Sequence, residues 1–234
     1  MKNLSKFVLL VILTLATQSA YAEDFLHETK KVNGKDFAYF VRGAEWLFGE
    51  GEEKVIFVCW ENPQDEFQNE MDWVKKAVKD SWDTHSALIF KGWQKCQRVN
   101  SGIRVLIDDS GPHVKAFGKK INRMQNGMVL NFTFRNWQPD SDVQTNRKKY
   151  IVAIAAHEFG HALGFAHEQN RPNTPDKCAV KHGQNQPNEE ELTPYDFESV
   201  MNYCNKKYAN WGKLSDLDIA GVQEKYGKPN PLSQ

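Results

Sequence analysis

The segment Ala156-His157-Glu158-Phe159-Gly160-His161-Ala162-Leu163-Gly164-Phe165-Ala166-His167-Glu168 places three imidazoles and two carboxylates within thirteen residues. On a helix, a spacing of four residues is a rotation of about 400° and a rise of about 6 Å, so His157 and His161 point the same way. Two ring nitrogens set so can reach one metal ion at roughly 2.0–2.1 Å. Glu158 lies between them and can face the open side of that metal. Gly164 ends the helix most simply in a left-handed conformation, which a Cβ resists. The chain can then turn back and present His167 as a third ligand. Three neutral nitrogens with a fourth position open describe a catalytic zinc site rather than a closed structural one. Five fixed positions, three of them His, arise by chance in a chain of this size at roughly 10⁻⁵ to 10⁻⁴.

Zinc lowers the pKa of bound water to about 7, and Glu158 can serve as its general base, returning the proton to a leaving amine. The sequence offers no Gly-x-Ser-x-Gly nucleophile. Cys59, Cys96, Cys178 and Cys204 are an even set. In an exported protein they suggest two disulfides rather than reactive thiols. Three pairings are possible. Cys59–Cys96 and Cys178–Cys204 are favoured because each pair lies within one half of the chain. The spacings match no structural zinc pattern.

Several elements must position these groups. Residues 1–22 read as a cleaved secretory leader: Lys2 and Lys6, a short apolar run from Phe7 to Leu15, then Ala20-Tyr21-Ala22. The run is well short of the roughly 20 residues needed to span a bilayer. The expected location is the periplasm or the exterior. Residues 23–50 are an N-terminal strand or a removable pro-segment, and 51–234 a catalytic domain with an upper part, 51–167, and a lower part, 168–234. Strands are expected at 55–60, 87–93, 102–108 and 128–134. Phe67, Met71, Val74, Val78 and Trp82 recur at helical spacing, which predicts a helix over 66–86. A second helix is expected from Lys148 to Gly164. A third starts near Ser215, where Ser215 and Asp218 have capping-box spacing and Gly227 with Pro229 marks the stop.

The 234-residue chain has 30 basic and 30 acidic side chains and is 40% hydrophobic. That balance excludes collagen and low-complexity disorder, and gives no basic excess for nucleic acid. Removing residues 1–22 takes away two lysines, leaving 28 bases against 30 acids and a net charge of −2. No nucleic-acid partner and no membrane span are expected, and a monomer is. His27, His85, His113 and His182 have no partner spacing and read as surface or satisfied histidines. Asn131-Phe132-Thr133 is a glycosylation sequon on an expected buried strand.

These motifs resemble the metzincin superfamily of zinc endopeptidases. His157, Glu158, His161, Gly164 and His167 match its zinc motif. Glu168 and the run from Gly164 to Pro172 look like astacins. Ser199-Val200-Met201-Asn202-Tyr203, with Met201 placed 34 residues after His167, looks like the Met-turn. Leu214 to Gly227 is more similar to the end of matrixin catalytic domains. The resemblance implies an α+β zincin fold: a twisted mixed sheet with two long helices, one zinc ion in the cleft, and an irregular lower part ending in a helix. It implies that Met201 floors the zinc site and that Tyr203 is a swinging fifth ligand that steadies the oxyanion. Taken alone, Met201 reads as core and Tyr203 as a packed aromatic. Phe40 to Glu45 loosely resembles an aspartate switch. The expected substrate is a protein or peptide lying extended along an edge strand near His113 to Lys119. The alternatives are a non-catalytic zinc-binding adhesin or decoy, a latent protease, and an exopeptidase or amidase on the same motif.

Overall fold

The apolar run from Val55 to Trp60 reads as a strand; Ile56, Val58, Cys59 and Trp60 are buried, while Phe57 is 49% exposed. In a computed structural model describing residues 37–136, 141–178 and 189–230, this run is the interior strand β2 (Lys54–Trp60), following an N-terminal strand β1 (Phe37–Val41). β2 pairs in parallel with β3 (Leu88–Lys95) on one side and β4 (Ile103–Ile107) on the other. β6 (Met128–Leu130) adds in parallel to β4, and β5 (His113–Val114) closes the edge antiparallel to β6. The sheet order is β3-β2-β4-β6-β5.

Parallel neighbours need a crossover, and helix α1 (Gln68–Val78) supplies the one between β2 and β3. A 3-10 turn, Asp65–Phe67, precedes α1, and a π-helical turn, Lys79–Asp83, continues it. The predicted stripe is the buried face: Met71, Val74, Val78 and Trp82 are in the core. A π turn rotates the following side chains relative to an α-helix. Trp82 thereby reaches the next long helix and donates its indole N–H to the Ala156 carbonyl at 2.8 Å.

Strand β6 is shorter than the 128–134 expected from its apolar residues. The Asn131 side chain bends the chain there. Its Oδ1 accepts from the amides of Thr133 and Phe134, and its Nδ2 donates to Asp109 and to the Ser110 carbonyl. A local side-chain turn of this kind displaces the sheet ladder. The sequon nitrogen is therefore buried and already bonded.

The short helix α2 (Ser141–Thr145) leads into α3 (Arg147–Leu163), whose residues from Ala153 onward are all buried. The sheet and α1 enclose one side of it. After α3 come β7 (Glu189–Leu192), which pairs antiparallel with β1, and α4 (Asp216–Tyr226). α4 begins as expected, with a reciprocal Ser215–Asp218 capping box. Disulfides join Cys59 to Cys96 and Cys178 to Cys204. No described helix is long and apolar enough to cross a membrane. The expected leader, residues 23–36, His27 and His182 lie outside the described residues.

Candidate metal centre

α3 brings His157 and His161 to one face, and Gly164 ends the helix with φ of 108°. His167 follows in extended conformation. Its Nε2 lies 3.1 Å from that of His157 and 3.0 Å from that of His161. Among the described residues these three form the one group of His, Cys, Asp or Glu side chains whose ligand atoms converge, all within 4.8 Å. Ligands on a tetrahedral ion with bonds of 2.0–2.1 Å would stand roughly 3.3 Å apart, close to what is found.

The far side of each helical imidazole is held by a carbonyl. His157 Nδ1 is 2.8 Å from the Val200 oxygen, and His161 Nδ1 is 2.7 Å from that of Phe165. A carbonyl can only accept, so Nδ1 carries the proton and the Nε2 lone pair faces the site. Burial lowers the pKa of His157 to about 4, the Val200 bond opposing it, and burial with neighbouring His157 puts His161 well below its usual value. Both rings are neutral at pH 7, the form a metal binds. Glu158 sits beside them, buried, and its Oε2 has no hydrogen-bond partner. Burial raises its pKa to about 8. Three inward nitrogens and an orphaned buried carboxylate oxygen fit a divalent cation.

The Val200 carbonyl depends on α4. Asp218 accepts from Ser199 Oγ at 2.6 Å, from the Val200 amide at 2.9 Å and from the Ser215 amide at 3.0 Å. Asp218, in the first turn of α4, thus fixes the turn that orients His157. Met201, the next residue, packs under α3 at Gly160, where a Cβ would come within 2.4 Å of its Sδ and 3.0 Å of Trp82. Glycine at 160 lets the turn approach the helix. Met201 also accepts the Glu168 amide through its carbonyl. Tyr203 lies against the triad, its ring 5.0 Å from that of His157 and 4.5 Å from that of His167.

Beyond β5 the chain carries the Phe117 ring to 5.1 Å from that of His161, so the predicted edge from His113 to Lys119 borders the centre. His113 bonds the Gly111 carbonyl, and neither it nor His85 joins the triad.

The sequence did not reveal that Asp218 holds the Val200 turn, that Gly160 admits Met201, or that Trp82 braces Ala156. Only Asp218 carried a local signal, its capping-box spacing, and that signal spoke for the helix alone.

Residues 136–233 match the family model for Astacin, a peptidase family. The chain is 30% identical over 97 residues to bone morphogenetic protein 1 of Xenopus laevis, covering 34% of this chain and 14% of that one. It is 32% identical over 97 residues to the zinc metalloproteinase dpy-31 of Brugia malayi, covering 35% and 16% respectively. It thus spans about a sixth or less of these relatives' length. By fold it is similar to myroilysin, with a TM-score of 0.55, 19% identity, and coverage of 82% of this chain and all of that one. It is also similar to the hatching-enzyme zinc protease HCE-1 of Oryzias latipes, with a TM-score of 0.53, 18% identity, and coverage of 77% and 92%.

Proposed function

We propose that this chain, an astacin-like protein of metzincin fold, is a secreted zinc-dependent endopeptidase that cuts internal peptide bonds of extended protein substrates. The observation that carries the reading is the convergence of three imidazole nitrogens beside the buried Glu158, whose Oε2 has no hydrogen-bond partner. A zinc ion held by His157, His161 and His167 would supply a Lewis acid that acidifies water and polarises a carbonyl.

The chain's own residues do the rest. The carbonyls of Val200 and Phe165 keep two ligand rings aimed inward. A dication beside Glu158 favours its ionised form, and that carboxylate takes the proton of the attacking water and hands it to the leaving amine nitrogen. Tyr203, packed on two of the ligand rings, steadies the developing oxyanion, and Met201 floors the site. Substrate adds as a strand along the edge that begins at β5, between the upper part, 51–167, and the lower part, 168–234. The two disulfides and the leader-like residues 1–22 support export to the periplasm or exterior, and a single catalytic ion acting in a monomer is part of the reading.

Glu158→Ala tests it. The variant should bind zinc as the parent does and lose casein cleavage by about 10²–10⁴-fold, while a chelator abolishes parental cleavage at internal bonds. Parental cleavage by the variant would refute the mechanism. A zinc-loaded parent that cuts nothing would favour the binding-protein or latent alternatives, and one that releases only terminal residues the exopeptidase.

A further inference from the structure

His157 and His161 are held by the helix that bears them, but His167 lies beyond the helix end and must be held from outside. The Met201 carbonyl, which accepts the Glu168 amide, does part of this, and one residue far upstream does the rest. The Tyr39 carbonyl accepts the Ala166 amide at 2.7 Å, and the Tyr39 amide donates to Glu168 Oε1 at 3.4 Å. The residues on either side of His167 are thus gripped by the two main-chain groups of Tyr39. The Tyr39 hydroxyl donates to the Asn170 carbonyl. Its neighbours hold the same stretch. The Val41 amide donates to the Gly164 carbonyl at 2.9 Å, and the Phe40 ring meets Phe165 edge-on at 5.2 Å. A Cβ at Gly164 would fall 2.6 Å from that ring. Phe165 is the residue whose carbonyl orients His161.

The clamp is part of the core. Tyr39, Phe40 and Ala44 are buried, and Trp46 donates its indole N–H to the Ala162 carbonyl at 2.8 Å. β7 pairs along the length of β1. Glu168 finds its counter-charge inside the chain, from the fully buried guanidinium of Arg171 at 3.1 Å.

We infer that Tyr39 is the positioning residue for His167, and that residues 37–46 stay in the active protein, so that any processing cut falls before Phe37. A pro-segment ending near residue 50 would take the clamp with it. The inference rests on the zinc reading above.

The test uses the full chain with Tyr39→Pro, which removes the amide donor to Glu168, Tyr39→Phe, which keeps it, and Val74→Ala as a core-destabilised control distant in sequence from the clamp. Zinc affinity is measured by competition with a chromogenic chelator. Tyr39→Pro should weaken zinc binding about 10–100-fold, as loss of a ligand's supporting contact does. Tyr39→Phe and Val74→Ala should stay within about threefold of the parent. A folded Tyr39→Pro with parental affinity overturns the inference, and a parent that binds no zinc overturns the zinc reading instead. Should Tyr39→Pro not fold, the N-terminus of the zinc-binding parent decides. A terminus at or before Phe37 upholds the inference, and one after Phe37 overturns it.

Discussion

Asp218→Ala should weaken the metal centre without touching a ligand. The carboxylate is 4% exposed and accepts three hydrogen bonds, from Ser199, Val200 and Ser215. Its loss leaves the Val200 amide without that acceptor, a cost of about 1–3 kcal/mol. Loss of its half of the capping box, the bond from the Ser215 amide, costs about 1 kcal/mol more, and the Ser199 bond about 1 kcal/mol. Relief of a buried charge offsets part of this, leaving about 2–4 kcal/mol, or a fall in Tm of about 4–16 °C for a chain of this size. The Val200 carbonyl then loses its anchor, and with it the His157 ring its orientation, so zinc affinity should drop about tenfold or more. Ser215→Ala separates the two effects. It removes the side-chain cap on the Asp218 amide and the Ser215 hydroxyl's bond to Asp196, but keeps the Asp218 bonds to Ser199 and Val200. It should lower Tm by a few degrees and leave zinc affinity unchanged. Thermal unfolding and chelator competition on both variants read this out. Parental zinc affinity in Asp218→Ala, or an equal loss in Ser215→Ala, would refute the reasoning.

Two further outcomes follow from the same geometry. Saturating zinc, at a thousandfold its Kd, should add about 4 kcal/mol to the chelator-treated protein, raising Tm by about 8–16 °C; an unchanged Tm would remove zinc from the triad. Glu61 holds Arg104 through two bonds, of 2.8 and 2.9 Å, with both side chains nearly covered. The Arg104 bond, against the penalty of burial, keeps the Glu61 carboxyl below its ordinary value of 4.5. A pKa lowered by folding gives stability that is present above the unfolded value and lost as pH falls through the folded one. Glu61→Gln should therefore cost about 3 kcal/mol near neutrality, and its gap from the parent in urea midpoint should close below about pH 4.5. A gap constant down to pH 3 would contradict the pairing.

The parts of this molecule legible in its sequence are those built from neighbours along the chain. The ligand spacing on α3, the left-handed stop at Gly164, the capping box of α4 and the apolar stripe of α1 each depend on residues within a turn or two. The overrun of β6 fails by the same rule. Phe132 and Phe134 continue the apolar pattern of a strand, while the Asn131 side chain, whose turn needs partners at Asp109 and Ser110, has already ended it. The centre itself joins both kinds of information. Its three ligands are a local pattern, but their aim is set across the fold: His157 by Val200, 43 residues on, and His167 through Glu168 by Tyr39, 129 residues back from Glu168. The side chains of Tyr39 and Val200 do not report these bonds, because a main-chain carbonyl or amide is present at nearly every position and carries no side-chain signature. A site motif of this kind therefore names the ligand atoms, and the tertiary main chain decides whether they converge. Substitutions at Asp218 and Tyr39, far from the motif in sequence, should move metal affinity as much as many changes beside it.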